Sequence, residues 1–298
     1  MSQLSLTVIT PSFQQGPFIR RTIESVLSQG IPGLEYLVFD AESTDGTAEI
    51  LHEYRDRLKA TIEPDAGQAD AVNKGLAVAS GQIIGWLNSD DVYYPNACAR
   101  VLATFDAHPD VDVIYGHADH IDERDAIIEP YYVEPFNYER LKEICFICQP
   151  AVFFRRSVVE RYGPLQADLR YCMDYEYWLR ILADRAPYFL DARLAGSRLH
   201  ADTKTLGSAE KVHRDIIVMQ RAKFGVPHPR WIHNLAHVIV RERGFTRDTP
   251  ANDRRFVGEV ADVTERAFEQ YCGELPPGER DTLAAWRAFA RSGEWTPP

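Results

Sequence analysis

Ile83-Ile84-Gly85-Trp86-Leu87-Asn88-Ser89-Asp90-Asp91 runs an apolar pentapeptide straight into four polar residues. An apolar run this short and dense, stopped by turn residues, reads as a strand buried on both faces. Three earlier runs share the pattern. Leu6-Thr7-Val8-Ile9-Thr10 closes at Pro11, Tyr36-Leu37-Val38-Phe39 ends at Asp40, and a shorter strand lies near Thr61-Ile62. Helix-periodic segments separate them. Ile19, Ile23, Val26 and Leu27 follow Pro17 and stop at Gly30. Ile50, Leu51, Tyr54 and Leu58 follow the cap-type residues Ser43-Thr44-Asp45-Gly46, and Gln68 to Ala79 closes at Gly81. Strands alternating with helices predict right-handed βαβ units, an α/β fold with a mostly parallel central sheet flanked by helices. Ligands of such sheets bind beyond the carboxyl ends of the strands, where Thr10, Asp40 and Asn88–Asp91 fall.

The middle of the chain is less regular. Val111–Gly116, Pro150–Phe154 and Tyr188–Leu190 read as strands, as does Ala195–Leu199 ahead of His200. Met173–Leu182 and Glu210–Phe224 carry helical spacing. After Gly225 the character changes: Pro227, Pro229 and Pro250 punctuate a stretch rich in Arg and His, and helices are expected near Phe256–Tyr271 and Glu279–Ala290. Residues 225–298 therefore read as a C-terminal helical appendage. Within it, Trp231, Ile232, Leu235, Val238 and Ile239 form an apolar face beside Arg241 and Arg243. That face suits a helix packed on the preceding domain, a dimer contact, or a surface that docks a lipid-linked or polymeric acceptor at the membrane.

The 298 residues are 45% hydrophobic and 26% charged, which excludes a disordered tail, a collagen-like fibre and a disulfide miniprotein. With 33 Lys+Arg against 44 Asp+Glu the formal charge is −11, so general nucleic-acid binding is disfavoured. Met1–Leu6 has no basic n-region and no run of about 18 apolar residues occurs, so neither a signal peptide nor a membrane span is expected. Cys98, Cys145, Cys148, Cys172 and Cys272 make an odd number, which suits reduced thiols in the cytoplasm. Cys145-Phe146-Ile147-Cys148 has CxxC spacing but an apolar middle and no second pair, so buried thiols are expected there. His233 and His237 are four apart without the Glu of a zinc-protease helix, and neither GxGxxG nor GxxxxGK[ST] is present.

Adjacent carboxylates at Asp90 and Asp91 repel unless something positive lies beside them. A divalent cation shared with a diphosphate resolves this, since Mg²⁺ and Mn²⁺ favour carboxylates plus substrate phosphates. A solvated turn in which either residue caps the next helix fits the spacing equally well. Asp70 and Lys74, four apart on one helical face, form at least an ordinary i,i+4 pair.

Five stretches, in order over residues 5–205, together resemble the inverting family 2 glycosyltransferases of the GT-A fold. They are Thr10-Pro11-Ser12-Phe13 with the Ile23–Gln29 helix; Phe39-Asp40-Ala41-Glu42-Ser43-Thr44-Asp45-Gly46-Thr47; Asp65-Ala66-Gly67-Gln68-Ala69-Asp70-Ala71-Val72-Asn73-Lys74-Gly75; Gly85–Asp91; and Gln149–Arg156 paired with Met173-Asp174-Tyr175-Glu176-Tyr177-Trp178-Leu179-Arg180. The resemblance implies a catalytic domain over 1–224, with a nucleotide-binding half at 1–110 and an acceptor-binding half at 111–224. Thr10 and Pro11 would line the base and ribose, and Asp40 would hydrogen-bond the base. Asp70 and Lys74 would face the nucleotide, with Lys74 as a nucleotide or phosphate contact. Asn88 and Asp90 match the DxD-type element. Asp90 and Asp91, with His200 added, would hold Mn²⁺ or Mg²⁺, and Arg198 is a candidate for the diphosphate.

Asp174 matches the catalytic base, which takes the acceptor hydroxyl's proton, and its place at a helix start also suits capping. Glu176, two residues on, is a supporting residue. His117 and His120 are expected on the acceptor side. The implied reaction moves a sugar from a nucleoside-diphosphate sugar, a UDP-sugar first, to an acceptor hydroxyl with inversion. The setting would be bacterial surface polysaccharide or glycoconjugate synthesis, in the cytoplasm or at the inner face of the membrane. A sugar-1-phosphate nucleotidyltransferase and a non-catalytic nucleotide-sugar binder are the alternative readings. The chain departs from the family pattern at three places. Asp40-Ala41-Glu42-Ser43 stands where Asp-Gly-Gly-Ser or Asp-Asp-Gly-Ser is common, Asn88 begins the DxD-type element, and Met173 precedes the base where Glu is frequent.

Overall fold

Four strands form the first half of the sheet: Leu6–Ser12 (β1), Glu35–Asp40 (β2), Lys59–Ile62 (β3) and Ile83–Trp86 (β4). They lie parallel in the order β3-β2-β1-β4. The helices Gly16–Leu27 (α1), Thr47–Glu53 (α2) and Gln68–Val78 (α3) cross between them, as parallel neighbours require. This computed structural model describes residues 4–200 and 208–295.

The second half holds Val92–Tyr93 (β5), Ala97–Ala107 (α4), Val113–Ile121 (β6), Ile127–Pro130 (β7), Tyr138–Glu143 (α5), Val152–Arg155 (β8), Arg156–Tyr162 (α6), Met173–Ile181 (α7) and Tyr188–Arg198 (β9). The sheet continues β4-β8-β6-β9-β5, with β7 paired to β6. β8 runs against both β4 and β6, and β9 lies parallel to β6. β1–β4, β6 and β9 thus share one direction, while β5, β7 and β8 oppose it. Sequence reading misses β5, which has two residues, and β7, whose residues are all exposed and show no buried face. It also splits β9 in two, because Asp191 and Arg193 face solvent in mid-strand.

Buried side chains of β1, β2 and β4 form one core with Ile19, Ile23 and Val26 of α1, Phe153 of β8 and Leu194 of β9. Gly85 permits this closeness: a Cβ there would lie 2.6 Å from the Tyr93 hydroxyl and 2.8 Å from the Phe153 ring.

The chain separates into two compact units, Met1–Thr203 and Lys204–Pro298. The second is helical: Ala209–Phe224 (α8), Pro229–Glu242 (α9), Pro250–Cys272 (α10) and Pro277–Ser292 (α11). Its division from the first falls before the boundary at 224 read from the sequence, because α8 packs with α9 and α10. Within this unit Trp231, Ile232, Leu235 and Ala236 of α9 are buried, and Ala236 and Val240 join Phe256, Val260 and Val263 of α10 in one cluster. Of the same face, Ile239 packs against that cluster and Val238 is partly buried. Among the described residues no helix is long and apolar enough to cross a membrane.

Glu35 fastens the amino ends of three strands. Its carboxylate accepts from Thr7 Oγ1 of β1 at 2.7 Å, from the Ser80 N–H ahead of β4 at 2.7 Å and from Lys59 Nζ of β3 at 3.4 Å. Burial favours the neutral acid, but the hydrogen bonds from Ser80, Thr7 and Lys59 outweigh it and hold the pKa down at about 2, from 4.5. A depressed carboxylate stabilises the fold above its unfolded pKa, and that contribution is lost as pH falls from about 4.5 towards 2. Glu35→Gln is expected to cost about 1–3 kcal/mol at pH 7 and to flatten the loss of stability below pH 4.5. Urea unfolding midpoints at pH 7 and pH 3 check this; an equal deficit at both would rule it out.

Candidate functional site

The carboxyl ends of β1, β2 and β4 bring the expected residues to one edge of the sheet. Thr10 is buried in β1, with Oγ1 3.2 Å from the Tyr36 hydroxyl, and Pro11 follows it, also buried. The Ser12 carbonyl accepts from the Ala41 N–H at 3.0 Å, which ties the loop after β1 to that after β2. Asp40 is buried and closes its own turn, accepting from the Ser43 N–H at 2.8 Å and Oγ at 2.7 Å. Glu42 takes a left-handed φ of 56° inside that turn. This conformation costs a residue with a Cβ roughly 1–2 kcal/mol, and the similar family motifs place Gly at the same point. The structure thus explains the family glycine and shows that this chain accepts strain there.

On α3, Lys74 Nζ reaches Glu63 Oε1 at 2.8 Å, the Pro64 carbonyl at 2.9 Å and Asp70 Oδ2 at 3.6 Å. The hydrogen bond to Glu63 is the main cause raising its pKa. Asp70 also accepts from the Ala66 N–H at 3.1 Å. The pair therefore lashes the 63–67 loop to α3, and the lysine charge already meets carboxylates.

The loop after β4 is built around Asn88. Its Oδ1 accepts from Gln68 Nε2 at 2.7 Å and Trp86 Nε1 at 2.9 Å. Its Nδ2 donates to Gln149 Oε1 at 2.9 Å and Asp91 Oδ2 at 3.3 Å. These four bonds use the amide's full capacity within the protein, and Gln149 is itself fixed by a 2.6 Å bond to the Trp86 carbonyl. Asp91 is buried, and its Oδ1 accepts from the Arg198 N–H at 2.9 Å. Burial first, and the Asp90 charge second, push its pKa well above the usual carboxylate range, against the pull of Arg198 and Asn88. From α1 the Thr22 hydroxyl is shared between the carbonyls of Ser89 at 2.9 Å and Asp91 at 2.8 Å.

Asp90 faces the other way. Its side chain is 19% exposed, and Oδ2 lies 3.1 Å from Nε2 of the buried His200. The His200 ring packs 4.6 Å from that of Phe18 on α1. Of the three expected metal ligands, Asp90 and His200 converge while Asp91 is turned inward; among the described residues no cluster of three His, Cys, Asp or Glu side chains forms. A carboxylate oxygen and an imidazole nitrogen side by side suit a divalent first-row ion that leaves positions for diphosphate oxygens.

Arg198 is corrected outright as a diphosphate contact. Its side chain has no exposure. Nε donates to the Asp90 carbonyl at 2.6 Å, Nη1 to the Asp122 carbonyl at 2.6 Å, and Nη2 pairs with Asp125. A guanidinium so committed belongs to the scaffold.

Asp174 lies half-buried in the first turn of α7, where the helix dipole favours a carboxylate. Its charge reaches Tyr131, Cys145 and Cys148, whose pKa values burial already pushes up. Cys148 also feels Asp91. Tyr175 donates to the carbonyls of Leu141 at 2.6 Å and Lys142 at 3.1 Å, clamping α7 to α5. Glu176 is buried and paired with Arg180 at 3.0 Å, so it supports the helix. Cys145 and Cys148 are free thiols with raised pKa, consistent with inert residues. His117 pairs with Asp191 at 3.1 Å, and His120 packs 5.2 Å from the Tyr131 ring. Gln68 and Gln149 lie in stretches that resemble the family, but nothing in the sequence pairs them with Asn88, and Thr22 and Phe18 carry no signal at all; only folding brings these side chains to the loop.

Asn88→Asp would set an oxygen against Asp91 Oδ2 and Gln149 Oε1. It is expected to cost about 1–3 kcal/mol at pH 7, with the deficit shrinking as acid protonates the pair. Thermal unfolding at pH 7 and pH 4 reads this, and an unchanged Tm at pH 7 would contradict the network. Glu42→Gly relieves the left-handed strain while adding unfolded-state entropy, so a net gain of about 0–1 kcal/mol is expected. Urea titration would show a loss instead if the turn did not need that conformation.

Residues 7–163 match the family described as Glycosyl transferase family 2. An uncharacterised glycosyltransferase of Rickettsia typhi is 26% identical over 68% of this chain and 66% of its own length. A PGL/p-HBAD biosynthesis glycosyltransferase of Mycobacterium bovis is 26% identical over 62% of this chain and 73% of its own. This chain spans about two thirds of the length of the Rickettsia typhi relative. Among solved structures, S. aureus TarS 1-349 in complex with UDP-GlcNAc matches with a TM-score of 0.64 at 17% identity, over 99% of this chain and 93% of that one. The mannosyltransferase PcManGT from Pyrobaculum calidifontis, in complex with GDP-Man and Mn²⁺, matches with a TM-score of 0.51 at 17% identity, over 96% and 80%. The fold is GT-A.

Proposed function

The chain belongs to glycosyl transferase family 2, and from that premise we propose that it moves a sugar from a nucleoside-diphosphate sugar to an acceptor hydroxyl with inversion. The observation that carries the reading is the Asp90–His200 pair, 3.1 Å apart beside the carboxyl end of β4. A UDP-sugar is the first choice of donor, supported by the likeness to TarS bound to UDP-GlcNAc. A glycoconjugate acceptor is supported by the relative named for PGL/p-HBAD biosynthesis.

Residues 1–110 would hold the nucleotide, with Thr10, Pro11 and Asp40 shaping the base and ribose pocket. Lys74 would exchange Glu63 for a phosphate. Asp90 and His200 would hold Mn²⁺ or Mg²⁺, which when bound offsets charge on the departing diphosphate. Asn88 and Asp91 keep the loop in shape. In the acceptor half Asp174 takes the hydroxyl proton as that oxygen attacks the anomeric carbon. The bond from that carbon to the diphosphate breaks on the opposite face, so configuration inverts.

Asp174→Asn is expected to lower turnover about 10²–10⁴-fold while calorimetric UDP binding with Mn²⁺ stays unchanged. A panel of UDP-, GDP- and dTDP-sugars with acceptor mixtures, with and without chelator, provides the assay. Wild-type turnover in Asp174→Asn would place the base elsewhere. Tight UDP binding with no transfer to any acceptor would instead identify a binding protein.

A further inference from the structure

The turn between β6 and β7 is closed by its own hydrogen bonds. Asp122 Oδ1 accepts from the N–H groups of Arg124 at 2.8 Å and Ala126 at 2.9 Å, and the Asp122 N–H donates to the Ala126 carbonyl at 2.9 Å. Asp125 completes it with a left-handed φ of 68°. From this turn the Asp122 carbonyl and the Asp125 carboxylate both grip the buried Arg198 guanidinium, and Arg21 of α1 holds the same carboxylate at 3.1 Å. The other side of that guanidinium grips the Asp90 carbonyl, while the Arg198 N–H binds Asp91. Phe18 lies under both halves of the pair, 5.1 Å from the Arg198 guanidinium and 4.6 Å from the His200 ring. The Leu199 N–H donates to Ile121 at 2.8 Å and fixes the strand end between them.

We infer that Arg198, anchored by Asp125, is the positioning residue that sets Asp90 against His200, so that the β6–β7 turn governs how tightly the site takes a nucleoside diphosphate with its divalent ion. Neither Asp122 nor Asp125 falls in a motif that would connect it to the site, and Arg198 acts through the Asp90 backbone, touching no reacting atom. A buried arginine that only stabilised the fold would need partners anywhere; this one spends its bonds on the loop that presents Asp90 and on a turn closed by its own hydrogen bonds. The inference rests on the reading of Asp90 and His200 as the diphosphate corner.

Asp125→Asn is the chosen variant, because Asn adopts the left-handed region readily and the turn keeps its shape. Hydrogen exchange on the ligand-free full chain tests the positioning directly. Amides of a peptide covering 86–93 are expected to exchange about 10-fold faster, with Tm lowered by only a few degrees. Calorimetry with UDP and Mn²⁺ is expected to show an approximately 10-fold weaker apparent Mn²⁺ affinity, the size typical for loss of an outer-shell partner. Phe18→Leu, which keeps an apolar side chain, is expected to weaken it in the same direction. A variant with unchanged exchange at 86–93 would overturn the inference whatever its Tm. Unchanged Mn²⁺ dependence of UDP binding beside a normal wild type would also overturn it. If the wild type itself bound no UDP with Mn²⁺, the proposed function would fail, and the exchange rates would still decide the role of Arg198.

Discussion

Two ionisable side chains withdrawn from water at the end of a sheet must find partners there, and Asp91 and Arg198 do so mainly through backbone groups. Asp91 accepts from the Arg198 N–H, while the guanidinium turns to the carbonyls of Asp90 and Asp122 and to Asp125. An unpaired charge in that position would carry a large desolvation cost. Two of the bonds that avoid it, from Arg198 to Asp91 and Asp90, join segments more than a hundred residues apart in the chain. These bonds hold the loop after β4 from both sides.

That constraint sorts the polar residues of the loop into two kinds. Asn88, Asp91 and the shared Thr22 hydroxyl spend their hydrogen bonds inside the protein. Asp90 and His200 turn their polar atoms towards each other at the edge of the structure. Adjacent carboxylates at 90 and 91 are compatible because one is buried with a raised pKa and the other is partly solvated. A site whose supporting groups are satisfied in advance has little to reorganise when charge develops in it.

The helical unit follows the same economy with apolar groups. Three of its four helices begin at a proline, Pro229, Pro250 and Pro277, each at a first-turn position where the missing N–H is harmless. Trp231, Ile232 and Leu235 of its second helix are buried, and Ala236 and Val240 beside them pack on the third. Periodicity shows that a helix has an apolar side; it is silent on which neighbour covers it.

Local chemistry determined what depends on neighbours in the chain. The apolar runs ending at Thr10, Asp40 and Leu87, with capped helices between them, were enough for a parallel α/β sheet and for the edge where a ligand would sit. Motif order was enough for the family. Only the tertiary structure decided which polar residues of that edge face inward. Asn88 is saturated by Gln68, Trp86, Gln149 and Asp91, and Arg198 is sealed beneath the Asp90 loop. It also revealed β5 and β7, which are too short or too exposed to leave a pattern. The reason is physical: strand and helix formation follow short-range periodicity and sterics, whereas the partner of a buried amide or charge is set by long-range packing that no local window contains.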